Sequence, residues 1–101
     1  MVIEYIRYKI GADRAEAFVH AYETAATSLR ESAVCLGYEL SRCVEATDSY
    51  ILRIEWQSTE AHLTGFRTSP EFRTFFQAVQ PYFHDIEEMR HYEPAALRWS
   101  R

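Results

Sequence analysis

The chain has 101 residues, a length that fits one domain. Apolar residues make up 48% and charged residues 26%, with only 3 Gly and 3 Pro, which excludes collagen-like, low-complexity and disordered classes. The 11 Lys and Arg against 15 Asp and Glu give a formal charge of −4, and the basic residues are scattered, so there is no footprint for nucleic-acid phosphates.

No apolar run approaches the roughly 20 residues that cross a bilayer, and no basic-then-apolar segment opens the chain, so a cytoplasmic location is expected. Two cysteines, Cys35 and Cys43, fall in one expected strand. Eight strand positions separate Cα atoms by about 26 Å. A disulfide tolerates less than about 7 Å, so reduced thiols are expected. Aromatic residues are unusually frequent, with 7 Tyr, 6 Phe and 2 Trp, and some of these rings are expected to line a cavity or a subunit interface.

Residues 2–10 are rich in β-branched and aromatic types and stop at Gly11, which predicts a first strand. Even positions carry Val2, Ile6, Tyr8 and Ile10, and odd positions carry Ile3, Tyr5, Arg7 and Lys9, so both faces of the sheet need cover. Asp13 and Glu16 have capping-box spacing, and Phe18, Tyr22, Ala25 and Leu29 recur at helical intervals, predicting a helix over about 13–32. Residues 36–44 and 49–57 read as a hairpin around Glu45-Ala46-Thr47-Asp48, with Tyr50, Leu52, Ile54 and Trp56 on one face. Ser58 is placed to cap a short helix to about Phe66, and Ser69-Pro70 to start another that buries Phe72, Phe75, Phe76 and Val79. Pro81 ends or kinks that helix, and a last strand runs over about 86–93.

This order predicts an α+β, ferredoxin-like βαββαβ sandwich: a four-stranded antiparallel sheet with helices on one face, over a domain of residues 1–94 followed by a tail, 95–101. The bare sheet face points to a face-to-face homodimer.

Nucleophile-elbow, phosphate-loop, dinucleotide and His-Glu-x-x-His signatures are all missing. Glu88-Met89-Arg90-His91 matches half of a di-iron carboxylate motif, but a single copy on a strand predicts no metal site. His62, just after Trp56, is placed to shuttle a proton between the sheet and the phenylalanine helix, or else to pack there as a core histidine. The phenylalanines are equally open to two readings, cavity wall or plain core.

The stretches Leu36-Gly37-Tyr38-Glu39-Leu40, Trp56-Gln57-Ser58-Thr59-Glu60-Ala61-His62 and Ser69-Pro70-Glu71-Phe72 resemble the antibiotic biosynthesis monooxygenase family, and the likeness covers about residues 2–93. The resemblance implies a dimeric α/β barrel in which each subunit holds its own pocket. It further implies oxidation of a phenolic or quinol-type aromatic substrate by molecular oxygen with no cofactor, Trp56 walling the ring and His62 taking a proton. The haem-degrading branch of that family relies on an asparagine, a tryptophan and a histidine. This chain has no asparagine, and it carries Ile6, Gly65 or Phe66, and Phe75 or Phe76 near those positions.

Strand and helix periodicity adds Tyr8, Tyr38, Leu52, Ile54, Phe66, Phe72 and Phe76 as the expected substrate wall around Trp56 and His62. A dimeric ligand-binding or accessory module of the same fold remains the alternative.

Overall fold

The computed structural model describes residues 1–101. Four strands, β1 (Val2–Lys9), β2 (Cys35–Arg42), β3 (Ser49–Trp56) and β4 (Ile86–Tyr92), form one antiparallel sheet in the order β2-β3-β1-β4. Two α-helices, α1 (Ala15–Glu31) and α2 (Pro70–Val79), cover one face of it. This is the ferredoxin-like arrangement expected from the element order.

Alternation builds the core. Val2, Glu4, Ile6 and Tyr8 of β1 are buried, and the ladder sets them against Trp56, Ile54, Leu52 and Tyr50 of β3, also buried. From α1, Phe18, Tyr22, Ala25 and Leu29 descend onto this surface. The Phe18 ring lies 5.0 to 5.3 Å from those of Tyr8, Tyr50, Tyr82 and Tyr22, in tilted or edge-to-face contacts that suit the ring quadrupoles. The Tyr8 and Tyr22 hydroxyls bond to each other.

The helix ends follow their local chemistry, with one correction. Ser69 Oγ accepts the Phe72 N–H at 3.2 Å and Pro70 occupies the first turn of α2, as expected. Ser58 Oγ accepts the Ala61 N–H at 2.9 Å, capping a helical segment that becomes π-wound over Ala61–Phe66. Pro81 has no N–H to extend α2, and the chain tightens into a 3-10 segment, Gln80–Asp85. Asp13, by contrast, does not cap α1: a 3-10 turn, Ala12–Arg14, starts straight after the extended Gly11, so Asp13 sits inside the turn rather than ahead of it.

β4 carries an irregularity that positions the site. Its pairing with β1 runs Ile3 with Tyr92, Glu4 with His91, Ile6 with Met89 and Arg7 with Glu88, and then shifts so that Tyr8 meets Ile86. One extra residue, Glu87, is accommodated by this bulge, and residues of both parities, Ile86, Met89 and His91, therefore turn toward the helices.

The opposite sheet face has no helix on it. Ile3 and Tyr5 are half-buried there, Ile51 is 36% and Tyr92 46% exposed, and Arg53 pairs with Glu55 at 2.8 Å among them. Both cysteines are free thiols. No helix is long and apolar enough to cross a membrane. After β4 the chain has no regular structure, and Leu97 and Trp99 are 94% and 74% exposed.

Candidate functional site

A cavity of about 240 Å³ opens between the sheet and the α2 side of the helical layer. Ile6 and Tyr8 of β1, Ile54 and Trp56 of β3, and Phe66, Phe72, Phe75 and Phe76 of the π-turn and α2 make most of its wall. Val79, Phe83, Ile86 and Met89 complete the apolar part, and Glu4, His62 and Arg67 supply its only ionisable groups besides Tyr8. An apolar cavity of about 150 Å³ holds benzene, so this one admits a single aromatic ring with its substituents.

Seven of the nine residues singled out from the sequence, Tyr8, Ile54, Trp56, His62, Phe66, Phe72 and Phe76, meet at this cavity. Tyr38 and Leu52 do not. They face the helical layer as their strand parity requires, but they lie under α1, where they line a second groove with Val19, Ala26 and Leu29. Two helices lie side by side on one sheet, so one strand face is shared between two separate spaces, and the Tyr38 hydroxyl is taken by Arg30 instead.

The polar end of the cavity is a chain of four side chains from four elements. Trp56 Nε1 donates to Glu4 Oε1 at 3.1 Å. The same oxygen lies 3.5 Å from His62 Nε2, and His62 Nδ1 lies 2.7 Å from His91 Nε2. The imidazole of His62 is stacked on the Trp56 indole at 4.4 Å with an interplanar angle of 12°, which fixes its plane. Glu4 and His62 are 2% and 4% exposed, while His91 is half-buried and leads outward. Every buried side-chain nitrogen and oxygen has a partner.

Burial governs the charge on these groups. It pushes the Glu4 carboxyl up to about 7, against the opposing pull of the Trp56 N–H and the Arg67 charge. It pushes His62 down to about 4, with the Arg67 and His91 charges acting in the same direction, and it lowers His91 as well. His62 is thus uncharged at neutral pH and carries one N–H. With Glu4 ionised, His62 Nε2–H faces the carboxylate and Nδ1 accepts from His91. With Glu4 protonated, the pattern reverses and Nδ1–H donates to His91. A proton entering at His62 is therefore passed to Glu4 in the first pattern and to His91 in the second.

Glu4 and His91 were not among the residues expected. Glu4 was legible, since a carboxylate alternates with Val2 and Ile6 on the face the helices cover. His91 was hidden by the β4 bulge, which breaks the parity from which a strand's facing is read.

The family model for antibiotic biosynthesis monooxygenase matches residues 1–78. The chain belongs to this family. Glu4, Trp56 and His62 lie inside the matched span, and His91 outside it. Among curated proteins, the uncharacterized protein YczJ of Bacillus subtilis strain 168 is 27% identical over 93 residues, spanning 92% of this chain and 98% of YczJ. Among solved structures, a candidate antibiotic biosynthesis monooxygenase of Bordetella bronchiseptica superimposes with a TM-score of 0.81 at 22% identity, covering 93% of this chain and 96% of that one. Another, from Deinococcus radiodurans, gives 0.76 at 19% identity with 100% and 99% covered. At such identities the structural likeness establishes the shared fold.

Proposed function

We propose that this family member oxidises a phenolic or quinol-type aromatic ring with molecular oxygen, without a flavin or metal, and that it works as a homodimer in the cytoplasm. The observation that carries the reading is an uncharged imidazole, His62, set in the wall of an otherwise apolar, ring-sized cavity. The ring enters against Trp56, Phe66, Phe72 and Phe76, and its hydroxyl gives a proton to His62. Arg67 at the rim favours the resulting phenolate by charge. The electron-rich anion then reduces oxygen. For a phenol, one oxygen atom becomes the new quinone carbonyl, the other leaves as water, and the ring supplies the four electrons and both hydrogens of that water. A substrate that is itself the reductant asks of the protein only binding, deprotonation and exclusion of bulk water.

Dimerisation is supported by the apolar side chains on the uncovered sheet face, Ile3, Tyr5, Ile51 and Tyr92. The free thiols suit a reducing compartment.

An oxygen electrode with a panel of hydroquinones and polycyclic phenols tests the reaction. A true substrate consumes oxygen, and His62→Ala lowers its turnover by at least about 100-fold, the lower bound for general-base catalysis. Turnover untouched by His62→Ala eliminates the proton-acceptor role. The second reading, a binding or accessory module, is favoured by the engagement of both His62 nitrogens with His91 and Glu4. Ring binding without oxygen uptake across the panel selects it.

A further inference from the structure

We propose that Glu4, His62 and His91 form a binding site for one divalent transition-metal ion. The three residues come from β1, the π-turn and β4, and one ligand atom from each lies within 4.8 Å of the others. Two imidazoles and one carboxylate are the donor set of three-ligand zinc sites and of the facial triads that hold non-haem iron. Metal–nitrogen and metal–oxygen bonds of about 2.0–2.2 Å at tetrahedral angles put ligand atoms about 3.3–3.6 Å apart. His62 gives an ion only one of its nitrogens: Nδ1 lies 2.7 Å from His91 Nε2 and Nε2 lies 3.5 Å from Glu4 Oε1, and with one atom from each residue the three stand within 4.8 Å, so an ion replaces the His62–His91 hydrogen bond and draws the third ligand in by side-chain rotation.

The surroundings serve a metal as well as the ligands do. The Trp56 N–H holds Glu4 Oε1, and the indole face holds the plane of His62, which are the orienting contacts that metal ligands require. The ladder sets Glu4 opposite His91, so two of the ligands are fixed by backbone pairing. Glu4 and His62 both line the cavity, so an ion they hold keeps open positions toward its occupant for water or an oxygen donor. Arg67, the cation facing the cluster, is exposed and screened by solvent.

The inference does not rest on the oxidation reading. A bound ion takes the imidazole lone pair that a phenolic proton needs, so ion and proton compete for His62.

Tag-free protein stripped with a chelator is titrated with Zn²⁺ by calorimetry and with Co²⁺ by visible absorption. The expected result is one saturable equivalent per chain. Glu4→Gln, which keeps an acceptor for Trp56, and His91→Ala, at a half-buried position, each weaken it by at least about tenfold. A His20→Ala/His84→Ala control, which removes the two exposed histidines, leaves it unchanged. Circular dichroism confirms that each variant is folded. Absence of the equivalent, uptake indifferent to both Glu4→Gln and His91→Ala, or uptake lost in the surface control overturns the site. Oxygen uptake by the stripped protein is followed in the same preparation. Uptake without Zn²⁺ binding overturns this inference and leaves the oxidation reading standing, whereas Zn²⁺ binding without uptake supports the site and removes the other reading.

Discussion

The link between Trp56 and Glu4 joins the fold to the site, and its strength is open to direct measurement. Trp56 is fully buried, fills the sheet end of the cavity and gives its N–H to a carboxyl that is itself shut off from water. Trp56→Phe retains an aromatic face for His62 but removes about a third of the ring system and the donor. Partial loss of a buried ring costs about 1–2 kcal/mol in packing, less than full truncation to alanine. The Glu4 oxygen left without its partner adds about 1–3 kcal/mol. The single variant is therefore expected to lose about 2–5 kcal/mol. Glu4→Leu removes the group that needed the donor, and replacing both partners by apolar groups can be nearly neutral. The Trp56→Phe/Glu4→Leu double variant should accordingly be more stable than the sum of the singles by about 1–3 kcal/mol. Urea unfolding at pH 7, with a chelator present and protein concentration held constant, measures all four corners of the cycle. Additivity within about 0.5 kcal/mol would refute the assignment of the Trp56–Glu4 bond as a stabilising contact.

Three further outcomes follow from the fold. Ser69→Ala removes the side-chain cap of α2 and should cost about 1 kcal/mol in the same unfolding assay; an unchanged midpoint rules out the cap as a contributor. Analytical ultracentrifugation at micromolar concentration should find a two-chain particle that Ile51→Asp, on the uncovered sheet face, converts to monomers, and a stable wild-type monomer would remove the reason for a covered second face. Deleting residues 95–101 should weaken that association or lower the melting temperature if Leu97 and Trp99 dock on a neighbouring subunit, while unchanged association and melting would identify a free tail.

The fold was legible because its signals are periodic. The run Tyr50, Leu52, Ile54 and Trp56 declares one face of a strand, and Phe18, Tyr22, Ala25 and Leu29 declare one stripe of a helix, so the order of elements and the covered face followed directly. Ser58 and Ser69 marked helix starts through a chemistry that depends only on neighbouring residues. Asp13 failed as a cap because the turn began two residues earlier than its spacing implied.

The site was only partly legible, for two physical reasons. Periodicity assigns Tyr38 and Leu52 to the correct face but not to one of two spaces on it, since that depends on where α1 and α2 sit side by side. Parity, in turn, survives only as long as a ladder is regular. In β1 and β3 it is, and Glu4 could have been placed from its even position between Val2 and Ile6. In β4 the shift between Arg7 and Tyr8 lets Ile86 and Met89 face the same cavity although their numbers differ by three, while His91, in the regular stretch beyond it, pairs with Glu4. The residue that completes the carboxylate–imidazole chain lies in the regular stretch beyond one unpaired position in an edge strand, so a facing read from the start of that strand comes out reversed at His91, and side-chain chemistry in the sequence does not announce the reversal. It also gives the bulge a consequence for the site: pairing both Ile86 with Tyr8 and His91 with Glu4 closes the apolar wall and the polar end of one cavity with a single short strand.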